Sequence, residues 1–429
     1  PYTTPEQIWG EHRASTRGRD LDISGLSYAL LEQAPQQWPF PAGAACGRQR
    51  LYADGVFPTA DGRARFAAVS WQPLAEQRDA RYPFSLTTGR LRDQWHGMSR
   101  TGTLGRLFGH VPEPAVQMHP QDMARRGLAE GALAQVTSRR GSIVLPVQAS
   151  RELAPGQAFI AMHWGGEFLG GSASTGARLA GVNALTTSAA CPQSRQPELK
   201  HAAVKILPAQ LPWTLLAVAW LPAGDALRAR ERLKSEMARF PFAACVPFSS
   251  QAPLEHAAER DRSGVLFRAA AHEAAPDEIL QGIEACLGLQ GADTLRYADA
   301  RRGQRRTVRA QREGGQLRLQ GFLLAGDTRA EAWLKALLQQ ELPAQAYGRL
   351  LLAPGAKPPA ALPSRSAQVC SCLAVEASAI ATHLARCSGS AEERLASLQA
   401  ALRCGTQCGS CVPELRRMVR ASLPLQQAA

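Results

Sequence analysis

Hydrophobic and polar positions fall into three differently patterned stretches along the chain. Residues 82–90 (YPFSLTTGR) read as a strand running into a Gly turn that carries a basic side chain. Residues 119–127 have the spacing of a helix of one to two turns stopped at Gly127. Residues 132–138 then alternate as a strand, and Arg139-Arg140-Gly141 turns a hairpin into 143–147. Short strands, Gly turns and one brief helix predict a closed β-barrel. Beyond 213 the pattern becomes mixed α+β. It has an apolar strand at 215–221, amphipathic helices at 225–239 and 276–287, and a hairpin over 306–320 turning at Gly314-Gly315. The stretch 321–326 and a helix at 330–340 complete it. The last stretch is helical: 376–386 has apolar residues at helical spacing, and Ser390-Ala391-Glu392-Glu393 is a capping box opening a helix through 403. Pro413 suits the first turn of a third helix.

Two proline-rich seams, 207–212 and 354–363, interrupt the pattern, because proline stiffens a connection and blocks regular hydrogen bonding. No internal repeat is visible. The predicted organisation is therefore multidomain, with parts at 1–80, 81–207, 213–353 and 366–422. The chain begins at Pro1 with no initiator Met and no signal peptide, and it is read as the carboxy-terminal part of something longer. No apolar run is long enough to cross a bilayer, so no membrane partner is expected.

The formal net charge of +13 suits either nucleic acid or small anions and phosphate-bearing cofactors. Arginine far outnumbers lysine, and runs such as Arg301-Arg302 and Arg305-Arg306 read as solvated strand or turn faces. With no aromatic-interleaved basic stripe, basic helix or zinc finger, nucleic acid is not an expected partner.

The cysteines sharpen the picture. Cys370-Ser371-Cys372 is followed at a distance by Cys404-Gly405-Thr406-Gln407-Cys408-Gly409-Ser410-Cys411. Four thiolates, two per iron, complete the tetrahedra of a [2Fe–2S] centre. Zinc also takes four thiolates, though usually from C-x2–4-C pairs, and a zinc site or spare thiols remain the alternatives. Two short helices separate the cysteine pairs, and free amides at the start of the third would face an anionic cluster. His383 reads as an ordinary, partly exposed histidine. Cys46, Cys191, Cys245, Cys286 and Cys387 have no partner spacing and read as buried structural thiols. An iron–sulfur site implies a reducing compartment, the cytoplasm. In the first half, the strand end at 87–90 leads into the donor-rich loop 94–102 (QWHGMSRTG). Hydroxyls, amides and arginines there suit a pyrophosphate-bearing ligand, although a purely structural Gly turn gives the same pattern.

The motifs V-C-S-C at 369–372 and G-T-Q-C-G-S-C-V-P at 405–413 resemble the bacterioferritin-associated-ferredoxin-like [2Fe–2S] domain. This is a small all-α module found alone or fused to nitrite and nitrate reductases. The resemblance implies Cys370, Cys372, Cys408 and Cys411 as ligands. Cys404 stands where that family has a small non-ligand residue and is taken as a bystander.

The stretch from 82 to 207 resembles the molybdopterin-dinucleotide-binding domain, a double-psi β-barrel of the bis-guanylyl-dinucleotide molybdenum oxidoreductases. The matching motifs are T-T-G-R…W-H at 87–96, H-P-x-D-x-A-x-x-G at 119–127, S-R-R-G at 138–141, V-N-A-L-T at 182–186 and P-E-L-K at 197–200. This implies contacts to the Mo-bis(molybdopterin guanine dinucleotide) cofactor from Thr88, Gly89, Arg90, Trp95, His96, Asn183 and Lys200. Thr175 and the Gly-rich run 165–171 would line a substrate funnel, and His163-Trp164 suits either funnel or core.

Residues 1–80 resemble the end of the catalytic portion that precedes this barrel, and the first half is most similar to assimilatory nitrate reductase. In that family an upstream cysteine binds molybdenum and an upstream four-cysteine motif holds a [4Fe–4S] cluster. Neither motif occurs here, so no catalytic residue is expected within this chain and it is not expected to reduce nitrate alone. The stretches 297–299 and 323–328 resemble the small domain preceding the same [2Fe–2S] module in flavin-linked nitrite reductases, which implies a docking or orienting role for 213–353. The implied activity is reduction of nitrate to nitrite with electrons passed through iron–sulfur clusters from an NADH-dependent flavoprotein subunit or a ferredoxin. Three other readings are a different molybdenum oxidoreductase such as a formate dehydrogenase, a non-catalytic iron–sulfur scaffold, and a zinc-bound regulatory module.

Overall fold

The structure is a computed structural model and describes residues 2–173, 176–251, 261–358, 362 and 365–423. It divides into two compact units, Pro1–Pro73 and Leu74–Ala429. The first holds helices α1 (Pro5–Ser15) and α2 (Tyr28–Gln33), opened by the side-chain caps Thr4 and Ser27. Neither helix buries a residue, and the small core of this unit is Leu26 and Phe40 beside Asp22.

In the second unit, β1 (Phe84–Gly89), β2 (Val116–Met118), β3 (Leu133–Thr137), β4 (Ser142–Ala149), β5 (Gln157–Ala161) and β7 (His201–Pro208) close a barrel in the order β1-β5-β2-β4-β3-β7. The pairs β1/β5 and β2/β4 are parallel and the rest antiparallel. Alternate residues such as Leu86, Val136, Leu145 and Ile160 fill the interior, each full burial contributing about 1.5–3 kcal/mol. Helix α3 (Pro120–Arg125) starts at the His119 cap, and its buried Asp122 accepts a 2.7 Å hydrogen bond from the Gly156 N–H. The strand β6 (Leu169–Gly170) leaves the barrel for the next layer.

That layer is a seven-stranded sheet, β11-β12-β13-β8-β10-β9-β6. It comprises β8 (Trp213–Pro222), β9 (Phe242–Phe248), β10 (Arg262–Ala271), β11 (Thr294–Asp299), β12 (Gln304–Glu313) and β13 (Gln316–Ala325), with β6. Its faces alternate with period two. Leu216, Val218 and Trp220 join the barrel's core together with Trp333 and Leu334 of α6 (Glu331–Gln339). Leu215, Ala217 and Ala219 face α4 (Ala223–Glu236) and α5 (Asp277–Cys286).

The seam at 207–212 is thus only a short connection between β7 and β8, and one apolar core runs across it. Within the Gly-rich run 165–171, Leu169 and Gly170 form an edge of the sheet, pairing with Ala244 and Ala243, and Thr175 lies outside the described residues. The second seam, 354–363, lies partly outside them as well. Arg305-Arg306 is not a solvated face. Arg306 is fully buried 3.3 Å from Asp327, and Arg305 reaches the buried Glu284 at 2.7 Å, because their strand is covered on both sides.

The terminal stretch carries α7 (Ala377–Leu384), α8 (Ala391–Leu402) and α9 (Val412–Ala421), with the Ser390/Glu393 capping box formed in both directions. It is not purely helical. β14 (Gln368–Cys370) and β15 (Val375–Glu376) form a two-stranded ribbon, because the C-x-C loop turns the chain back on itself with Ala374 at φ 52°. His383 is partly exposed, its Nε2 3.0 Å from the Ser397 hydroxyl. Of the scattered thiols only Cys245 is buried; Cys286 and Cys387 are half-buried, and Cys46 and Cys191 are exposed because they sit in irregular segments outside any core. Among the described residues no helix is long and apolar enough to cross a membrane.

Candidate functional site

One rim of the barrel gathers segments more than a hundred residues apart. At the end of β1 the Thr88 hydroxyl donates to the Leu199 carbonyl at 3.1 Å and its N–H to the Lys200 carbonyl at 3.4 Å, so the T-G-R turn and the E-L-K segment share one edge. Gly89 packs against Phe159, whose ring lies 3.0 Å from where a Cβ would stand. Arg90 Nη2 is 3.4 Å from His96 Nδ1, and the Trp95 and His96 rings meet edge-on at 4.5 Å. Arg90, Trp95, His96, Asn183 and Lys200 are all exposed.

The hairpin at 138–141 is pinned to the same rim. Arg140 donates to the Leu185 carbonyl at 2.9 Å and pairs with both oxygens of Glu76, which also accepts the Ala203 N–H at 2.7 Å. Arg140's hydrogen bonds hold the Glu76 carboxyl down at about 2, overcoming the opposite push of burial. Asn183, two residues before Leu185, is carried with this hairpin. The 119–127 motif lies at the other end of the barrel, where Asp122 braces the start of β5.

Behind the rim, His163 is 1% exposed. Its Nδ1 meets the His96 carbonyl, and its Nε2 is buried without a hydrogen-bond partner. Burial and then the Arg90 charge lower its pKa, keeping the imidazole neutral. A buried orphan nitrogen beside an exposed cluster of donors is what a bound polar ligand would satisfy. The exposed side-chain donors suit the phosphates of a pyrophosphate-bearing dinucleotide, whereas His163 Nε2, an acceptor while Nδ1–H donates to the His96 carbonyl, suits a ligand hydroxyl or N–H; His163 lies behind the rim and Trp164 is core.

The four candidate sulfur ligands form two pairs. Cys372 Sγ is 3.2 Å from Cys408 Sγ, and the Cys370 and Cys411 thiols hydrogen-bond to each other. Cys370 and Cys411 are buried, Cys372 half-buried and Cys408 exposed. Burial pushes Cys411 up to about 12 and raises Cys372. Cys411 thus stays a thiol until a metal displaces its proton. Cys404 is fully buried in the same small core and also raised by burial. Among the described residues no group of three or more His, Cys, Asp or Glu side chains surrounds a single point. The two pairs together supply four sulfurs, the number that either a binuclear centre or one tetrahedral ion takes. Gly405 and Gly409, at φ 81° and 73°, let the second cysteine loop turn, and Cys411 is the cap of α9 with no side-chain hydrogen bond, leaving helix N–H groups beside the sulfurs.

Nothing periodic in the sequence singles out Arg92 or Asp93, yet these side chains join the two sites. Asp93 accepts hydrogen bonds from Ser371 at 2.8 Å and Ser410 at 2.9 Å, the serines inside the two cysteine motifs. Arg92 reaches the Glu414 carboxylate and the Val369 carbonyl, and Arg106 lies 3.4 Å from the Cys372 carbonyl. The only signal available was a basic-acidic pair flanked by the T-G-R turn and the donor-rich loop.

Residues 84–203 match the molydopterin dinucleotide binding domain, the family to which the motifs of 82–207 pointed, and every rim residue named above except Glu76 falls inside this span. The chain is 32% identical to a nitrate reductase of Klebsiella oxytoca over 438 positions, covering 98% of this chain and 44% of that protein. It is 41% identical over 203 residues to a nitrate reductase of Synechocystis, covering 46% of this chain and 27% of that protein. An assimilatory nitrate reductase catalytic subunit of Bacillus subtilis is 30% identical over 210 residues, covering 48% of this chain and 28% of that protein. The chain spans less than half the length of these relatives.

Proposed function

We propose that the chain is part of a molybdenum-dependent assimilatory nitrate reductase, in which the barrel rim holds the guanine dinucleotide of a Mo-bis(molybdopterin guanine dinucleotide) cofactor and Cys370, Cys372, Cys408 and Cys411 hold a [2Fe–2S] cluster. The observation that carries this is the gathering of the T-G-R, S-R-R-G, V-N-A-L and E-L-K segments at one rim, inside the span that matches the dinucleotide-binding family. When bound, the pterin cofactor supplies the two-electron oxygen-atom chemistry on nitrate and the clusters deliver single electrons.

The protein's own share is binding and orientation. Arg90 and Lys200 oppose the phosphate charges, and Gly89 lets the end of β1 pack closely on Phe159. Asn183 offers both a donor and an acceptor to a base edge, and the neutral His163 supplies its unpartnered Nε2. No catalytic residue is assigned within these residues; the molybdenum ligand and a [4Fe–4S] cluster belong to a part outside them. The sheet layer orients the cluster module. Electrons come from an NADH-dependent flavoprotein subunit or a ferredoxin, in the cytoplasm. The relatives named above are nitrate reductases, which favours nitrate over formate as substrate.

The test is the complete enzyme purified without air. It is expected to contain iron with labile sulfide, to release guanine nucleotide on denaturation, and to reduce nitrate. Cys408→Ser is expected to cut activity with the physiological donor far more than with a small artificial reductant that feeds molybdenum directly. Equal losses would make the cluster structural, and absence of both labile sulfide and pterin would refute the proposal.

A further inference from the structure

We propose that Asp93 is a positioning residue that seats the cysteine cluster on the barrel and holds down its reduction potential. This rests on the [2Fe–2S] reading above. The carboxylate is 5% exposed, yet it belongs to neither cysteine motif and comes from the loop 90–96 that also carries Arg90, Trp95 and His96. Each of its oxygens accepts one serine hydroxyl, Oδ2 from Ser371 and Oδ1 from Ser410, so one side chain closes the C-S-C loop onto the C-G-S-C loop. The surrounding charges are Arg92 Nε at 3.6 Å and His110 at 3.9 Å, with Glu414 of α9 facing both of them.

Two effects of this arrangement act in one direction. A buried negative charge beside an anionic centre disfavours the added electron. A hydroxyl has one proton, and while Ser410 gives it to Asp93 that proton is withheld from Cys408 Sγ, only 3.2 Å away. Hydrogen bonds to cluster sulfurs raise the potential, so their diversion lowers it. Because the same loop carries the rim residues Arg90 and His96, the seat of the cluster is fixed relative to the dinucleotide rim by a few covalent bonds.

The experiment is an anaerobic redox titration of the complete enzyme, followed by the EPR signal of the reduced [2Fe–2S] cluster, for wild type, Asp93→Asn and the Ser371→Ala/Ser410→Ala pair. Asp93→Asn is expected to favour reduction at least tenfold, about 59 mV upward for one electron. The double serine variant leaves the charge in place without its two donors and is expected to move the potential downward. A general loosening of the module would move both variants the same way. A loaded Asp93→Asn with an unchanged potential, or a double serine variant that moves upward or not at all, overturns the proposal. If Asp93→Asn fails to load, the sign of the serine variant decides. Wild type without iron and labile sulfide is the failure of the underlying reading, and is told apart by metal analysis before any titration.

Discussion

Removing the Glu76 carboxylate by Glu76→Gln tests whether the rim is clamped as its geometry implies. Glu76 accepts from Arg140 and the Ala203 N–H, and its side chain is 11% exposed. Its pKa falls from 4.5 to about 2. At about 1.4 kcal/mol per unit this is a preference for the charged, folded form of roughly 3 kcal/mol, of which about 2–3 kcal/mol is expected to appear as stability after allowing for the solvent-reachable edge. Gln keeps the shape, yet it loses the charge and turns an N–H group towards an arginine. Because the folded pKa lies below the unfolded one, the contribution is complete above about pH 4.5 and fades as the pH falls towards 2, to roughly 40% by pH 3. Urea denaturation followed by tryptophan fluorescence at pH 7 and pH 3 gives the difference between wild type and variant at each pH. A gap of about 2–3 kcal/mol at pH 7 that shrinks at pH 3 supports the clamp. A gap of equal size at both, or none at pH 7, refutes it. The variant is also expected to release guanine nucleotide more readily, since Arg140 holds Leu185 beside Asn183.

Cys404→Ser is expected to leave the cluster's visible absorption intact, and its loss would move Cys404 into the ligand set. Leu216→Ala opens a cavity at a fully buried position between barrel and sheet; a loss of about 2–5 kcal/mol is expected, shared by spectroscopic probes in both layers. Destabilisation confined to the sheet would show that the two cores are independent.

Much of this fold was legible because its signals are local. The hairpin through Arg139-Arg140-Gly141, the capping box at Ser390 and the amphipathic helices over 225–239 and 276–287 announce themselves within about fifteen residues, and the structure places α4, α5 and α8 there with ends shifted by one to three residues. The strands β9 and β10 were not legible: FAACVPF and RSGVLFRAAA are covered on both faces, so alternation is erased and Ala gives no β signal. The parallel pairing of β1 with β5 joins residues about seventy positions apart, which no periodicity reveals. At the rim, motif order identified the exposed residues, whereas the orphan nitrogen of His163 needed three dimensions. Asp93 was invisible for the same reason: its partners, Ser371 and Ser410, are some three hundred residues away, and a lone Arg-Asp pair in a loop carries no pattern.

The core that continues from barrel to sheet has a practical consequence for anyone trimming this chain. Cutting at 209–212, where proline content invites a break between domains, would strip Leu216, Val218, Trp220, Phe242 and Val246 of their covering and leave a broad oily face in water. Such pieces are expected to precipitate when expressed separately, and to recover solubility only when the severed halves are produced together.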